Sequence, residues 1–386
     1  MDQRAISLVR TNFRAVTGSP HGPAQLTNYF YAHLFGENPG LRGLFPATMH
    51  MQRERLVLAI DFVIAALDDP DRVREFLRQL ALDHRKYGVE AGHYPAAGRA
   101  IIAAMRDFTS AVFWTDAIDA AWTQVAELIT TEMSIGAASD DLPSTWSATV
   151  VGHHRLRDDV ALVRLRSETQ IPYEPGQYLP VQIPQRGRMW RYLSPAIPTN
   201  PYGEIEFHVR KVRGGWVSPS IVNETQVGDR WTLGAPLGGL RVDRTSGRDV
   251  LMISSGTGIA PLRAQLMEMA MKGHNPRVQL FLGGRYPCDL YDVSNLWQLS
   301  ITNPWLTVVP ICENATDPWW YTGPPTELPE GIQRSLVGPI GDVIAGIGSW
   351  SDRQIQICGS ATMIRSTRKA LIRAGTPAVQ ISYDQI

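Results

Sequence analysis

The sequence predicts a multi-domain chain: an all-α segment, then an antiparallel β-barrel, then an α/β domain on a parallel sheet. Three observations predict it. Apolar residues recur at intervals of three and four through about residue 136, as in Val73, Phe76, Leu77 and Leu80. After the linker the pattern shortens to strand-like runs between Pro- and Gly-rich turns. From Asp249 onward strands alternate with helices, which implies a parallel sheet. A chain of 386 residues also exceeds one ordinary domain. The domains are placed at residues 1–138, 146–245 and 246–386.

Within the first domain, Met1 to Val16 is amphipathic and carries Asp2, Arg4, Arg10 and Arg14, with no apolar signal core. Pro20, Pro39, Pro46, Pro70 and Pro95 punctuate the helices. The most apolar helical stretch, Leu56 to Leu67, is interrupted by Asp61 and is far short of the roughly 20 residues a membrane span requires. Gly136 to Ser147 (GAASDDLPSTWS) is small and polar, a linker. Strands follow at Thr149–Gly152, Val160–Arg166, Tyr178–Ile183, Ile205–Val209 and Arg230–Leu233. The third domain opens with a strand at Val250–Ser254, a helix at Pro261–Met271 and a strand at Val278–Leu282. Its last unit is a strand at Gln354–Cys358 with a helix around Met363–Arg373.

Composition narrows the function. Apolar residues make up 44%, enough for sizeable cores. Lys plus Arg equals Asp plus Glu at 37 each, so no basic surface for nucleic acid or an anionic membrane is implied. Cys288, Cys312 and Cys358 have no metal-ligand spacing, and an iron–sulfur cluster needs about four thiolates. Free thiols fit a reducing compartment, so the expected location is the cytoplasm.

Several residues carry candidate chemistry. His84 lies in phase with the apolar stripe of Val73, Leu77 and Leu80; alone, it reads as well as a core histidine. Gln52 aligns with Leu56, Ile60 and Val63, so its amide faces inward and needs a partner or ligand. Tyr31 lies between Phe30 and Phe35. In the barrel, Pro175-Gly-Gln-Tyr178, Arg191-Tyr-Leu193-Ser194-Pro195 and Gly214-Gly-Trp-Val-Ser218 are turn motifs in themselves. An arginine beside a serine also offers two donors for a pyrophosphate, and a Gly-Gly turn lets backbone N–H groups approach phosphate. Gly256-Thr257-Gly258-Ile259-Ala260-Pro261 stands between strand and helix, where N–H groups meet an incoming pyrophosphate. Cys358 ends a later strand and reads equally as a small buried thiol.

Taken together, FYAHLFGENPGLRGLF (Phe30–Phe45), QRERL (Gln52–Leu56) and HRKYGVEAGHY (His84–Tyr94) resemble the globin domain of bacterial flavohaemoglobins. The order of the later motifs resembles the ferredoxin reductase-like module fused to it. The resemblance implies haem b with His84 on the iron, Tyr31 and Gln52 in the distal pocket, Phe45 wedging the porphyrin and Tyr94 supporting the histidine. It implies FAD on Arg191, Leu193 and Ser194, with Tyr178 and Ser218 at the adenylate and pyrophosphate end. It implies NADH or NADPH on the 256–261 loop, with Cys358 beside the nicotinamide. Arg285 is compatible with either coenzyme.

The expected activity is conversion of nitric oxide and dioxygen to nitrate at the expense of NAD(P)H. Other readings are a relative oxidising another donor such as lactate, a quinone reductase, or a haem gas sensor reset by its reductase. The chain departs from the family at four places, like a divergent subset. The acidic partner expected for Tyr94, near Ser139, falls in the linker. Asp83 replaces a common lysine, Leu193 an aromatic residue, and Ile386 the aromatic residue that covers the flavin.

Overall fold

The helical periodicity resolves, in this computed structural model, into α1 (Gln3–Thr17), α2 (Gly22–Glu37), α3 (His50–Ala65), α4 (Pro70–Arg85), α5 (Tyr94–Thr109) and α6 (Asp116–Ala138). The structure describes residues 1–46, 49–110, 112–138, 142–324, 326–332 and 335–384. Each helix starts where its sequence permits. Asp2 accepts the Ala5 N–H at 2.7 Å, capping α1, and Asp69 caps α4 ahead of Pro70. The stripe Val73, Leu77, Ala81 is buried, while the charged face of α4 is exposed. Trp122 is fully buried, and its indole N–H donates to Asn12 at 2.9 Å, tying α6 to α1. Gly136 lets α6 touch α4: a Cβ there would lie 2.8 Å from the Arg78 Cα. No helix among the described residues is long and apolar enough to cross a membrane.

The antiparallel part comprises β1 (Thr145–Arg157), β2 (Val160–Ser167), β3 (Leu179–Gln182), β4 (Arg191–Leu193), β5 (Glu204–Arg210), α7 (Val217–Asn223) and β6 (Arg230–Gly234). The six strands run in the order β4-β3-β6-β1-β2-β5, and a bridge from Pro195 to Phe207 nearly closes them into a barrel. Alternate residues fill the interior, with Phe207 stacked on Trp231 at 6.4 Å.

The last part contains β7 (Val250–Ser255), α8 (Ile259–Ala270), β8 (Val278–Gly284), α9 (Val293–Thr302), β9 (Leu306–Cys312), β10 (Leu336–Val337), α10 (Ile340–Ile347), β11 (Gln354–Cys358), α11 (Ala361–Arg373) and β12 (Ile381–Ser382). The sheet is parallel, in the order β10-β9-β8-β7-β11-β12. Chain order reverses between β7 and β11, so their carboxyl ends form a switch-point crevice.

Two compact units result, Met1–Thr145 and Trp146–Ile386. The linker is shorter than its composition predicts. Gly136 to Ala138 continue α6, and Thr145 to Ser147 already belong to β1. Packing of α6 on α4 carries the helix through small residues that local propensity alone would release.

Candidate functional site

In the helical unit, α4 delivers His84 at its last turn. The Nδ1–H donates to the Leu80 carbonyl at 2.5 Å, because a carbonyl can only accept. That bond leaves Nε2 with its lone pair and no protein partner among the described residues. Burial pulls the imidazole's proton affinity below its ordinary value, against the Leu80 bond and the Asp83 charge. A neutral imidazole with an open Nε2 fits an iron ligand.

Tyr31, on α2, is buried among Phe30, Phe35 and Phe45, with ring centroids 5.0, 5.5 and 5.7 Å away. Burial pushes its phenol up to about 12, against the nearby Arg53 charge, so the hydroxyl stays a donor. Neither that hydroxyl nor the amide of half-buried Gln52, on α3, meets a protein partner among the described residues. Phe45 ends the turn of residues 39–44 and packs edge-on against Tyr31 and Phe35. Leu44 from the same turn lies 3.7 Å from a Cβ built on Gly88, just beyond the end of α4. These open donors and the open Nε2 suit haem and a small ligand.

Tyr94 is buried, and its hydroxyl has no partner among the described residues. Glu132 is a buried carboxylate on α6, but Arg78 holds it at 2.9 Å and Arg74 at 3.5 Å. Ser139, where the sequence led us to expect an acidic position, lies outside the described residues, as does Ile386. Asp83 pairs with Lys86, whose buried ammonium sits 5.0 Å over the Tyr87 ring.

In the second unit a cleft of about 1190 Å³ opens at the switch point. Leu193, Ser194, Gly256, Thr257, Gly258, Ala260, Pro261 and Cys358 all line it, so barrel and sheet motifs converge. Tyr178 meets its wall edge-on through Tyr192, at 5.4 Å. Three expected residues stand apart from the lining. Arg191 is exposed and donates to the Trp190 carbonyl, the Ser218 hydroxyl accepts the Val212 N–H at 3.0 Å, and Ile259 is buried in the sheet's core. Leu193 packs on the barrel core, while its neighbour Tyr192 supplies an aromatic ring to the cleft. A Cβ on Gly258 would lie 2.5 Å from the Cys358 carbonyl, so only glycine lets the two strand ends meet. Gly214 and Gly256 have φ of +75° and +55°, conformations that suit glycine.

The sequence reading missed the polar groups behind this cleft. Arg210, on β5, is pinned by Asp159 at 2.9 Å and by Asp289 at 3.2 Å. Its Nη1 has no protein acceptor among the described residues and lies 3.6 Å from a Cβ built on Gly256. Arg157 donates to the same two carboxylates. Beside them, buried His208 donates from Nε2 to Glu206 at 3.0 Å and accepts the Tyr291 hydroxyl at 2.9 Å. Glu206 also receives Arg164 and Arg263, and Arg263 reaches Asp292. Burial pushes the Glu206 carboxyl up, but hydrogen bonds from His208 and Arg164 and the Arg263 charge outweigh it and hold it at about 2. These pairs join barrel to sheet within the unit. Asp384 lines the cleft as well, and burial lifts its carboxyl to about 6. A period-two polar pattern, Glu206, His208, Arg210 on an otherwise apolar strand, was the available signal.

Comparison with known proteins agrees with this arrangement. Residues 28–133 match the globin family, 147–242 the oxidoreductase FAD-binding domain, and 252–369 the oxidoreductase NAD-binding domain. A flavohemoprotein of Chromobacterium violaceum is 26% identical, over 94% of this chain and 93% of that one. One of Bordetella pertussis is 27% identical over 67% and 69%. The flavohemoglobin of Malassezia yamatoensis, solved with FAD and heme, superposes with a TM-score of 0.79 at 16% identity, covering 99% of this chain and 98% of that one. The chain therefore carries a globin domain followed by oxidoreductase FAD-binding and NAD-binding domains, the order and the fold in which it is similar to the flavohaemoglobins.

Proposed function

We propose that the protein is a nitric oxide dioxygenase, converting nitric oxide and dioxygen to nitrate with electrons from NAD(P)H. One observation carries this reading: the Tyr31 hydroxyl and the Gln52 amide, two donors without acceptors among the described residues, share a helical unit with His84, whose Nε2 is likewise without a partner there. When bound, haem would supply a redox-active iron that takes small diatomic ligands, and FAD would convert a hydride's electron pair into single electrons.

The protein's part is positional. His84 would hold the iron through Nε2, and its Nδ1–H bond to the Leu80 carbonyl orients the ring for it. Tyr31 stays protonated at any working pH and donates its hydrogen bond where negative charge develops. Gln52 would supply an amide N–H to the same end, and Phe45, packed edge-on against Tyr31 and Phe35, would border the porphyrin. Among the described residues Tyr94 has no carboxylate partner, Glu132 being paired with Arg74 and Arg78. Ser194 and Leu193, which line the cleft, would border the flavin, with Tyr178 toward its adenylate end; Arg191 and Ser218 would have to turn in from outside the lining to join them. The 256–261 loop receives the coenzyme's pyrophosphate, and Arg210 meets it with its unspent Nη1. Cys358 stays a thiol beside the nicotinamide, because burial raises it far above its ordinary range. Asp384 is poised to hold or release a proton in the cleft near pH 6.

We place the functional domains at residues 1–138, 146–245 and 246–386, and the protein in the cytoplasm, where three free buried thiols persist. Rapid mixing of the oxygen-loaded, reduced protein with nitric oxide tests the activity. Nitrate should form in step with coenzyme oxidation; nitrate no higher than in buffer rejects it.

A further inference from the structure

We infer that Arg53 and the Tyr31 hydroxyl form a binding site for a small inorganic anion, of the nitrite or azide class, inside the helical unit. Arg53 follows Gln52 in the first turn of α3 and is half-buried. Its Nε is shut off from water and meets no hydrogen-bond partner among the described residues. No carboxylate among them pairs with its guanidinium, although its helix neighbours His50 and Glu54 lie 3.6 Å apart. Other arginines of the unit spend their charge on acids: Arg10 on Asp68 at 2.7 Å, Arg78 on Glu132 at 2.9 Å and Arg99 on Glu37 at 3.6 Å. The Arg53 charge does reach the buried Tyr31 phenol, where it works against the effect of burial. Cation and hydroxyl therefore address the same interior space.

A guanidinium keeps its charge at any working pH, so half-burial without a counter-ion leaves a standing cost. Tyr31 adds a second donor: its hydroxyl stays protonated and meets no acceptor among the described residues. Two donors, one of them charged, describe a site for an acceptor that carries negative charge. The surroundings narrow the class. Phe30, Phe35 and Phe45 stand around Tyr31 with ring centroids 5.0, 5.5 and 5.7 Å away, so the walls are apolar. A large or multiply charged anion would lose more hydration there than one cation returns. A planar or linear monovalent anion loses less, and the flat fork of an arginine matches two neighbouring oxygen atoms.

This inference rests on haem being bound beside Tyr31 but not on the nitric oxide reaction, so the experiment uses neither nitric oxide nor coenzyme. Full-length protein loaded with haem and FAD is oxidised with ferricyanide and freed of the reagent. It is then titrated with sodium nitrite, sodium azide and, as a neutral ligand, imidazole, each followed by the shift of the Soret band. Arg53→Gln should weaken nitrite and azide about 10- to 100-fold, the weight of a charge-assisted hydrogen bond. Imidazole affinity, haem content and the rate of carbon monoxide release from the reduced protein should stay at the parent values. Arg53→Lys, which keeps the charge without the fork, should recover azide affinity more fully than nitrite affinity. A parent spectrum indifferent to both anions, equal weakening of imidazole and the anions, or no weakening at all overturns the site. Loss of haem by either variant assigns Arg53 to a haem carboxylate and also overturns it. Parent protein that takes up no haem brings down the haem reading itself.

Discussion

Tyr31, buried, and Gln52, half-buried, have side-chain donors that meet no acceptor among the described residues. A buried donor without an acceptor costs about 1–3 kcal/mol, so such groups persist where a ligand completes them. Replacing Tyr31 with Phe, or Gln52 with Leu, should therefore leave haem content unchanged and speed dioxygen release about 10- to 100-fold each. Flash photolysis measures this; an unchanged release rate would remove both side chains from the distal pocket. Inward-facing phase marked Gln52 and His84 in the sequence, because periodicity reports direction. It could not report that Glu132 would be captured by Arg74 and Arg78 from a helix more than fifty positions away, with the Tyr94 hydroxyl meeting no partner among the described residues.

At the scale of elements, two strand ends and one buried charge cluster build the reductase cleft. Gly258→Ala puts a methyl 2.5 Å from the Cys358 carbonyl, so β7 and β11 must separate at their carboxyl ends. We expect coenzyme affinity to fall at least about tenfold, read by titration with the oxidised dinucleotide, since misplaced phosphate contacts weaken binding steeply. The charge cluster makes a pH prediction. Glu206 has a carboxyl held near 2, well below its unfolded value, so its stabilising contribution is complete above about pH 4.5. It should drain away as pH falls toward 2. Glu206→Gln should lower stability near neutrality by about 3–5 kcal/mol, the usual result of breaking a buried pair. The gap to the parent should narrow in acid. Urea unfolding at a series of pH values, with a gap that stays constant, would deny Glu206 that role.

For the whole molecule, the two units divide the chemistry. His84→Ala should yield protein that carries FAD but no haem and still reduces menadione at about the parent rate, because the cleft lies wholly within the second unit. An absorption spectrum and a menadione assay on one sample check both halves. Retention of haem by this variant would move the iron ligand elsewhere.

Periodicity and turn chemistry were enough to determine the class and order of the layers, the glycine turn between β7 and α8, and the inward phase of His84. All of these are local properties, carried by neighbours in the chain. Tertiary structure alone decided which polar groups would be paired and which left open. Arg210 meeting Gly256 across two lobes, Glu206 gathering three cations, and Tyr192 taking the cleft position beside Leu193 all depend on residues distant in sequence. Hydrogen bonds and charges act through space, and no spacing along the chain encodes them.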